Sequence, residues 1–331
     1  MGLKVSSTTP SLCSTTVDLL RLTWESVGPH LTYLTQLCLD LGHYPRPFRT
    51  VKIVTILKPG KPRAALATTK GWRPISLLSV LGKGVKRLVA RRFAREALAR
   101  DVFAEGQASP VPGRSATDLL TSIIHDAELA LGKGLKYGIL TIDVQGAFPS
   151  VRRNRLLSRL SSERWPRRMI NFVGSFHDDR TIKLRLDGSV RPSLGLPQGS
   201  PLSPVLYALY MADVARLPGT LNYVDDIAMC VTGPDHATVK AGLQEAYRKT
   251  SGWLATWGQS VDPCKCKFTV LDRSRNPEAG TMVLDGVGMF EVKPYLKWLG
   301  VVFDRKLTFK DQVRAVTAKA LRATSLLARV N

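Results

Sequence analysis

Between Leu221 and Val231 the chain reads Leu-Asn-Tyr-Val-Asp-Asp-Ile-Ala-Met-Cys-Val, an apolar run interrupted by two adjacent acids. Apolar residues on both sides of an Asp-Asp pair predict two short buried strands joined by a tight turn, with Asp225 and Asp226 at its tip. Two anions held there are costly. At about 4 Å and an effective dielectric of about 20, like unit charges repel by roughly 4 kcal/mol. Such a hairpin therefore wants a cation between its carboxylates or solvent around them. An Asp-Asp pair is also ordinary turn chemistry on a solvated hairpin, and the stretch by itself leaves both open.

The rest of the chain supplies the context. A length of 331 residues suits one large domain or two lobes around a sizeable core, and 48 Lys+Arg against 26 Asp+Glu leave a net charge of +22. So basic a chain calls for a polyanionic partner, nucleic acid first. No apolar run approaches the roughly 18 residues of a spanning helix, and Met1 to Thr16, rich in Ser and Thr, holds no signal-peptide core. No membrane partner is expected. Cys13, Cys38, Cys230, Cys264 and Cys266 are irregularly spaced, which points to a reducing compartment without a disulfide framework. Cys264-Lys265-Cys266 lacks a second Cys or His pair nearby, so a structural zinc site is not expected.

Residues 1–16 read as a flexible leader. From Val17 the pattern is helical, with Val27, Leu31, Leu34, Cys38 and Leu41 on one face and Gly42 and Pro45 as the stop. Lys52 to Leu57 reads as a strand that runs into the cationic turn Lys58-Pro59-Gly60-Lys61-Pro62. Gly71 to Leu78 follows, then a helix whose apolar face is Leu81, Val85, Leu88 and Val89. Between Arg49 and Arg100 stand Arg49, Lys52, Lys58, Lys61, Arg63, Lys70, Arg73, Lys83, Lys86, Arg87, Arg91, Arg92, Arg95 and Arg100, opposed only by Glu96. A charge run can be a plain solvated face, but so lopsided a block favours a surface that meets phosphates.

Ser115 and Asp118 form a capping box at the start of a helix that Gly132 and Gly134 close. Tyr137 to Ile142 is an apolar strand that delivers Asp143 at its end, a rim position where open sheets place ligands, although a strand-terminal Asp is also common as a turn residue. Ile182, Leu184 and Leu186 alternate with polar residues in a half-exposed strand. Leu196-Pro197-Gln198-Gly199-Ser200-Pro201-Leu202-Ser203-Pro204 is a rigid small-residue loop, with Ser203 as N-cap and Pro204 at the first position of a helix from Val205 to Val214. Gly199 would let backbone approach a flat ligand. A long amphipathic helix ends at Gly258, a strand spans Phe268 to Leu271, Tyr295 to Phe303 is a last strand region, and Asp311 to Ala328 is a basic helix.

Taken in this order, the pieces resemble a reverse transcriptase of the non-LTR (LINE-like) retrotransposon kind, and among these most the elements of filamentous fungi. The matching residues are Lys58-Pro59-Gly60-Lys61, Trp72-Arg73-Pro74-Ile75-Ser76-Leu77-Leu78, Asp143 with Ala147-Phe148, Leu196 to Pro204, Tyr223-Val224-Asp225-Asp226 (the YVDD box) and Trp298-Leu299-Gly300-Val301. Each fragment is weak alone; their joint order and spacing are specific.

The resemblance implies an α+β right-hand polymerase core of fingers and palm, with an antiparallel palm sheet packed on helices and a thumb that is short or missing. Residues 17–135 would be the N-terminal helix and fingers, 136–310 the palm, and 311–331 a helix opening a truncated thumb or connection. It implies RNA-directed DNA polymerase activity by two-metal nucleotidyl transfer, with Mg²⁺ (Mn²⁺ as a substitute), an RNA template, a DNA primer and dNTPs, in a nuclear or cytoplasmic protein whose site of action is the nucleus. Asp143 and Asp225 would bridge both metals, the Val144 carbonyl would add a ligand, and Asp226 would support the primer-side ion. Two divalent ions about 3.5–4 Å apart can activate the nucleophile, neutralise the phosphate and stabilise the leaving group. Phe148 would pack under the sugar and exclude a ribose 2′-hydroxyl, and Gln198 and Gly199 would lie beneath the templating pair. Arg73, Lys58 and Lys61 would hold the triphosphate, Lys265 would protonate or neutralise pyrophosphate, and Trp298, Leu299 and Gly300 would form the primer grip.

The sequence departs from the family in places. Val224 stands where Ala is more frequent, Lys267 replaces a commonly acidic position, and the interval from Met211 to Asn222 is short. No endonuclease, RNase H or zinc knuckle flanks the core, so the chain reads as one excised or decayed portion of a longer element. The rival of another class is therefore a catalytically inactive nucleic-acid-binding remnant. An intron-encoded maturase type is disfavoured because no maturase-like tail follows.

Overall fold

The computed structural model describes residues 16–57, 71–178, 181–184, 190–192, 195–275 and 280–327, without side-chain detail at 73–74, 181–184, 190–192 and 326–327. Almost all of the expected leader, and the turn with Lys58 and Lys61, lie outside these. The chain divides into two compact units, each assembled from two stretches: residues 1–102 with 146–210, and 103–145 with 211–331. Among the described residues, no helix is long and apolar enough to cross a membrane.

In the first unit the expected N-terminal helix is two, Val17–Leu22 and Trp24–Leu41, and Gly42 ends the second in the left-handed conformation at φ 61°. A side chain at Gly42 would collide with the Arg168 carbonyl, so this position needs glycine for space as well as conformation. Cys38 is buried on the expected face, but Leu41 is 64% exposed. A four-stranded sheet follows the order Trp72–Leu77, Val51–Leu57, Thr181–Leu184, Val190–Pro192, with Val51–Leu57 and Thr181–Leu184 parallel and the other pairs antiparallel.

The helix Val80–Ala99 buries Val85, Val89, Phe93 and its Ala90, Ala94 and Ala97. Leu88, expected on that face, points outward, because the spacing 85, 89, 93 drifts less around the helix than a stripe through 88 would require. Phe93 stacks on Trp165 with centroids 5.1 Å apart. Two cations of the basic block are not on the surface at all. Arg49 is buried and donates from Nε to the Tyr44 carbonyl at 2.9 Å. Lys86 is buried with its ammonium 5.4 Å from the Tyr44 ring centroid and 5.9 Å from that of Phe176, a cation–π enclosure. The helix expected from Val205 to Val214 is broken at Met211 into Ser203–Tyr210 and Ala212–Ala215. Ser203, expected as the N-cap, is instead the first residue of the helix, and its hydroxyl donates back to the Pro197 carbonyl at 2.9 Å.

The second unit is built on a five-stranded sheet in the order Gln107–Ala108, Thr220–Tyr223, Asp226–Gly233, Lys136–Asp143, Lys267–Leu271. It is antiparallel except for the two-residue edge strand Gln107–Ala108. Lys136–Asp143 has a neighbour on each side and is buried over all its interior residues, as its unbroken apolar run demands. On one face Tyr137 and Ile139 join Leu119, Leu120, Ile123 and Ala127 of the helix Ala116–Gly132 in one core. Each Leu and Ile side chain there contributes roughly 1.5–3 kcal/mol by leaving water. The Ser115–Asp118 capping box starts that helix. On the other face Gly138 lets the helix His236–Thr256 come close: a side chain there would collide with Val239 and lie 2.9 Å from Leu243 Cδ1.

Candidate active site

Asp143 ends the central strand, Asp226 begins its neighbour, and the two stand directly opposite in the antiparallel register. Cross-strand partners project to one face with Cβ atoms about 4.5–5.5 Å apart, so both carboxylates leave the same side of the sheet. Tyr223 pairs with Asp226 from the far side, which leaves Val224 and Asp225 as a two-residue hairpin turn. Val224 has φ 60°. A positive φ at the first turn position alone is the II′ pattern that suits strand twist. A β-branched residue there is strained by about 1–3 kcal/mol, a cost typical of functional turns. The Val144 N–H donates to the Asp225 carbonyl at 3.3 Å, tying the turn to the end of the central strand.

A third segment braces the same corner. Gln145 N–H donates to the Ser260 carbonyl at 2.7 Å, Asp262 N–H donates to the Asp143 carbonyl at 2.9 Å, and Val144 bridges Val261. Asp262 then caps the short turn Pro263–Lys265, accepting from Cys264 N–H at 3.2 Å. That turn aims Lys265 inward. Its Nζ lies 2.7 Å from Asp143 Oδ2 and 3.7 Å from Asp262 Oδ2.

The electrostatics follow from this crowding. Burial pushes the Asp225 carboxyl above its ordinary value, and the Asp143 charge adds to it. Asp226 is pushed up to about 6, by burial first and then by the charges of Asp225 and Asp143. Lys265 pulls both back down. Burial pulls the Lys265 ammonium down, but its hydrogen bond to Asp143 and the surrounding carboxylates outweigh this and hold it above the usual range. The corner thus carries more negative charge than the Lys265 ammonium offsets. Among the described residues no three His, Cys, Asp or Glu side chains are gathered tightly enough to hold an ion unaided.

Of the residues singled out in the sequence, Asp143, Val144, Asp225, Asp226 and Lys265 come together in the second unit. Phe148, Gln198, Gly199 and Arg73 belong to the first. There Leu196 N–H donates to the Phe148 carbonyl at 2.8 Å, a side chain at Gly195 would collide with Pro149, and the Phe148 ring lies 5.2 Å from that of Tyr207. Gly199, at φ 96°, approaches the strand of Arg73, with a hypothetical Cβ 3.5 Å from the Ser76 carbonyl. Gln198 is exposed beside it. Lys58, Lys61 and the Arg73 side chain lie outside the described residues. The last strand region is a hairpin, Tyr295–Trp298 paired with Val301–Asp304, turning at Leu299 and Gly300, both at positive φ. Trp298 sits in the core with Leu296 and Phe303.

Sequence reasoning gave no role to Asp262, whose backbone fixes Asp143 and whose turn presents Lys265. The Asp-Pro pair, a turn-starting signal, was its only mark. It also missed a buried pairing at the far end of the central strand. Asp272 accepts from Lys136 Nζ at 2.6 Å and lies 3.0 Å from His236 Nε2.

Comparison with known proteins places these features in a family. Residues 56–303 match the reverse transcriptase (RNA-dependent DNA polymerase) family. A probable RNA-directed DNA polymerase from transposon BS of Drosophila melanogaster is 28% identical over 88% of this chain and 33% of its own length. The RNA-directed DNA polymerase from mobile element jockey of the same fly is 27% identical over 94% and 35%. A retrovirus-related Pol polyprotein from element R2 of Nasonia vitripennis is 26% identical over 92% and 31%. The chain thus spans about a third of the length of these relatives. Among solved structures, apo telomerase from Candida tropicalis superimposes with a TM-score of 0.54 at 13% identity, covering 84% of this chain and 59% of that one. That likeness shows the fold, an α+β right-hand polymerase core. Since the family match takes in well over half of the sequence, the chain belongs to the reverse transcriptase (RNA-dependent DNA polymerase) family.

Proposed function

We propose that this chain carries the RNA-directed DNA polymerase centre of a non-LTR retrotransposon and extends a DNA primer on an RNA template with dNTPs. The observation that supports it most is the register of Asp143 opposite Asp226, with Asp225 between strands and Lys265 alongside.

The donor set fits Mg²⁺, with Mn²⁺ as a substitute. It offers hard carboxylate oxygens, excess negative charge and a raised Asp226, while Mg²⁺ completes its six ligands with waters and substrate phosphates. In this reading Asp143, Asp225 and the Val144 carbonyl would hold the metals, with Asp226 in support. When bound, they supply charge neutralisation and an activated 3′-hydroxyl. Lys265 donates a proton or positive charge to the departing pyrophosphate. Phe148 excludes the ribose 2′-hydroxyl, and Gln198 and Gly199 support the templating pair. Arg73, with Lys58 and Lys61, holds the triphosphate as a fork suited to phosphate. Trp298, Leu299 and Gly300 steer the primer end.

Residues 17–135 act as fingers and 136–310 as palm in this assignment, and the site of action is nuclear. Arg91, Arg92, Arg95, Arg167 and Arg168 are exposed and give the first unit a cationic surface for template backbone. Primer extension on an RNA template, run beside Asp225→Asn, tests the proposal. Wild-type incorporation with the variant reduced at least a hundredfold is expected. Equal incorporation by both would refute the metal assignment, and salt-dependent RNA binding without extension by either would favour the inactive remnant.

A further inference from the structure

Lys265 sits where a cation is needed before any metal arrives. Its ammonium contacts Asp143 Oδ2 at 2.7 Å and reaches Asp262 Oδ2 at 3.7 Å. Asp143 is also the residue that faces Asp226 across the sheet. A divalent ion shared by Asp143 and Asp225 would draw on the oxygens that Lys265 now holds. Two cations cannot occupy that corner at close range without strong repulsion.

Resting on the proposed metal site, we infer that Lys265 is the built-in counterion of the carboxylate cluster and is displaced from Asp143 when metal loads. Metal binding then does two things at once. It neutralises the carboxylates, and it releases the Lys265 side chain toward the substrate phosphates. The local construction suits such a move. Lys265 is at the end of a three-residue turn in which its own N–H donates to the Asp262 carbonyl and the Cys264 N–H donates to the Asp262 carboxylate, so the backbone stays fixed while the long side chain changes partner. Its side chain is 56% exposed while that of Asp143 is 17% exposed, so the lysine has solvent to swing into and the carboxylate does not. Cys264 and Cys266 on either side leave no other cation within the turn.

The test is metal binding to the protein without substrate. Binding of Mn²⁺ is followed by electron paramagnetic resonance, for wild type, Lys265→Gln and Lys265→Arg, with Asp225→Asn as the carboxylate control. Lys265→Gln should bind Mn²⁺ roughly fivefold more tightly, the factor for removing a competing ion pair of about 1 kcal/mol. It should nonetheless extend primers more slowly. Lys265→Arg should restore the weaker wild-type affinity. A merely structural lysine would move affinity and rate together. Affinity in Lys265→Gln equal to or weaker than wild type, with binding still abolished by Asp225→Asn, overturns the counterion role alone. Binding untouched by Asp225→Asn overturns the metal site beneath it as well.

Discussion

Asp226 offers the most direct check on the electrostatics of the hairpin. In the unfolded chain its carboxyl titrates near the ordinary 3.8, whereas in the fold it titrates at about 6. Between those values the folded protein binds more protons than the unfolded chain, so stability falls as pH rises through the window of about 4 to 6 and stays reduced above it. At 1.36 kcal/mol per pH unit the ceiling is about 3 kcal/mol. Asp226 is only partly buried, and screening by solvent cuts the figure to about 1–2 kcal/mol. Asp226→Asn keeps the shape and removes the charge, so the metal-free variant should be more stable than wild type by that amount at pH 8 and no more stable at pH 4. For a chain of this size each kcal/mol corresponds to a Tm rise of roughly 2–4 °C. Thermal melts in chelator at pH 4, 6 and 8 read this directly. Adding Mg²⁺ should raise the wild-type Tm and leave the variant less affected, since only a ligand that binds the native state stabilises it. A variant that melts at or below wild type at pH 8, or that gains equally at pH 4, would refute the reasoning.

The other predictions concern the frame. Val224→Asn replaces a strained β-branched residue at φ 60° with one that tolerates the left-handed region, and should raise the urea midpoint by the equivalent of about 1 kcal/mol at constant slope. A lower midpoint would mean that the turn is not strained. Gly138→Ala should cost about 1–3 kcal/mol by forcing a methyl against Val239 and Leu243, read in the same titration. Asp272→Asn leaves Lys136 and the buried His236 short of their partner and should cost about 3 kcal/mol. Burial pushes the Asp272 carboxyl up, but Lys136, Ser274 and His236 outweigh this and hold it well below the ordinary range. Its contribution is therefore complete above about pH 4 and is lost as pH falls toward the lowered value, so the variant's deficit should be full at pH 7 and smaller in acid.

Much of the second unit was legible from local chemistry. The capping box at Ser115, the apolar strand ending at Asp143 and the acidic hairpin all declare themselves within a few residues, because caps, turns and strand burial depend on near neighbours. Asp262 escaped notice because its role is made by a backbone hydrogen bond to Asp143, 119 positions earlier in the chain. In the first unit the basic block misled in part. Arg49 and Lys86 read as surface charge, but each is enclosed, Lys86 by the Tyr44 and Phe176 rings, and no count of charges along a helix shows which cation an aromatic wall will cover.

By itself the sequence determined the chemical vocabulary: which segments are strands, where acids interrupt them, and an excess of positive charge that only a polyanion matches. It could not say that Asp143 and Asp226 meet. That was decided by sheet register, since a one-residue slip of either strand would send one carboxylate to the opposite face. The register is held by Tyr137, Ile139, Gly138 and the helices packed on them, far along the strand from the acids they align.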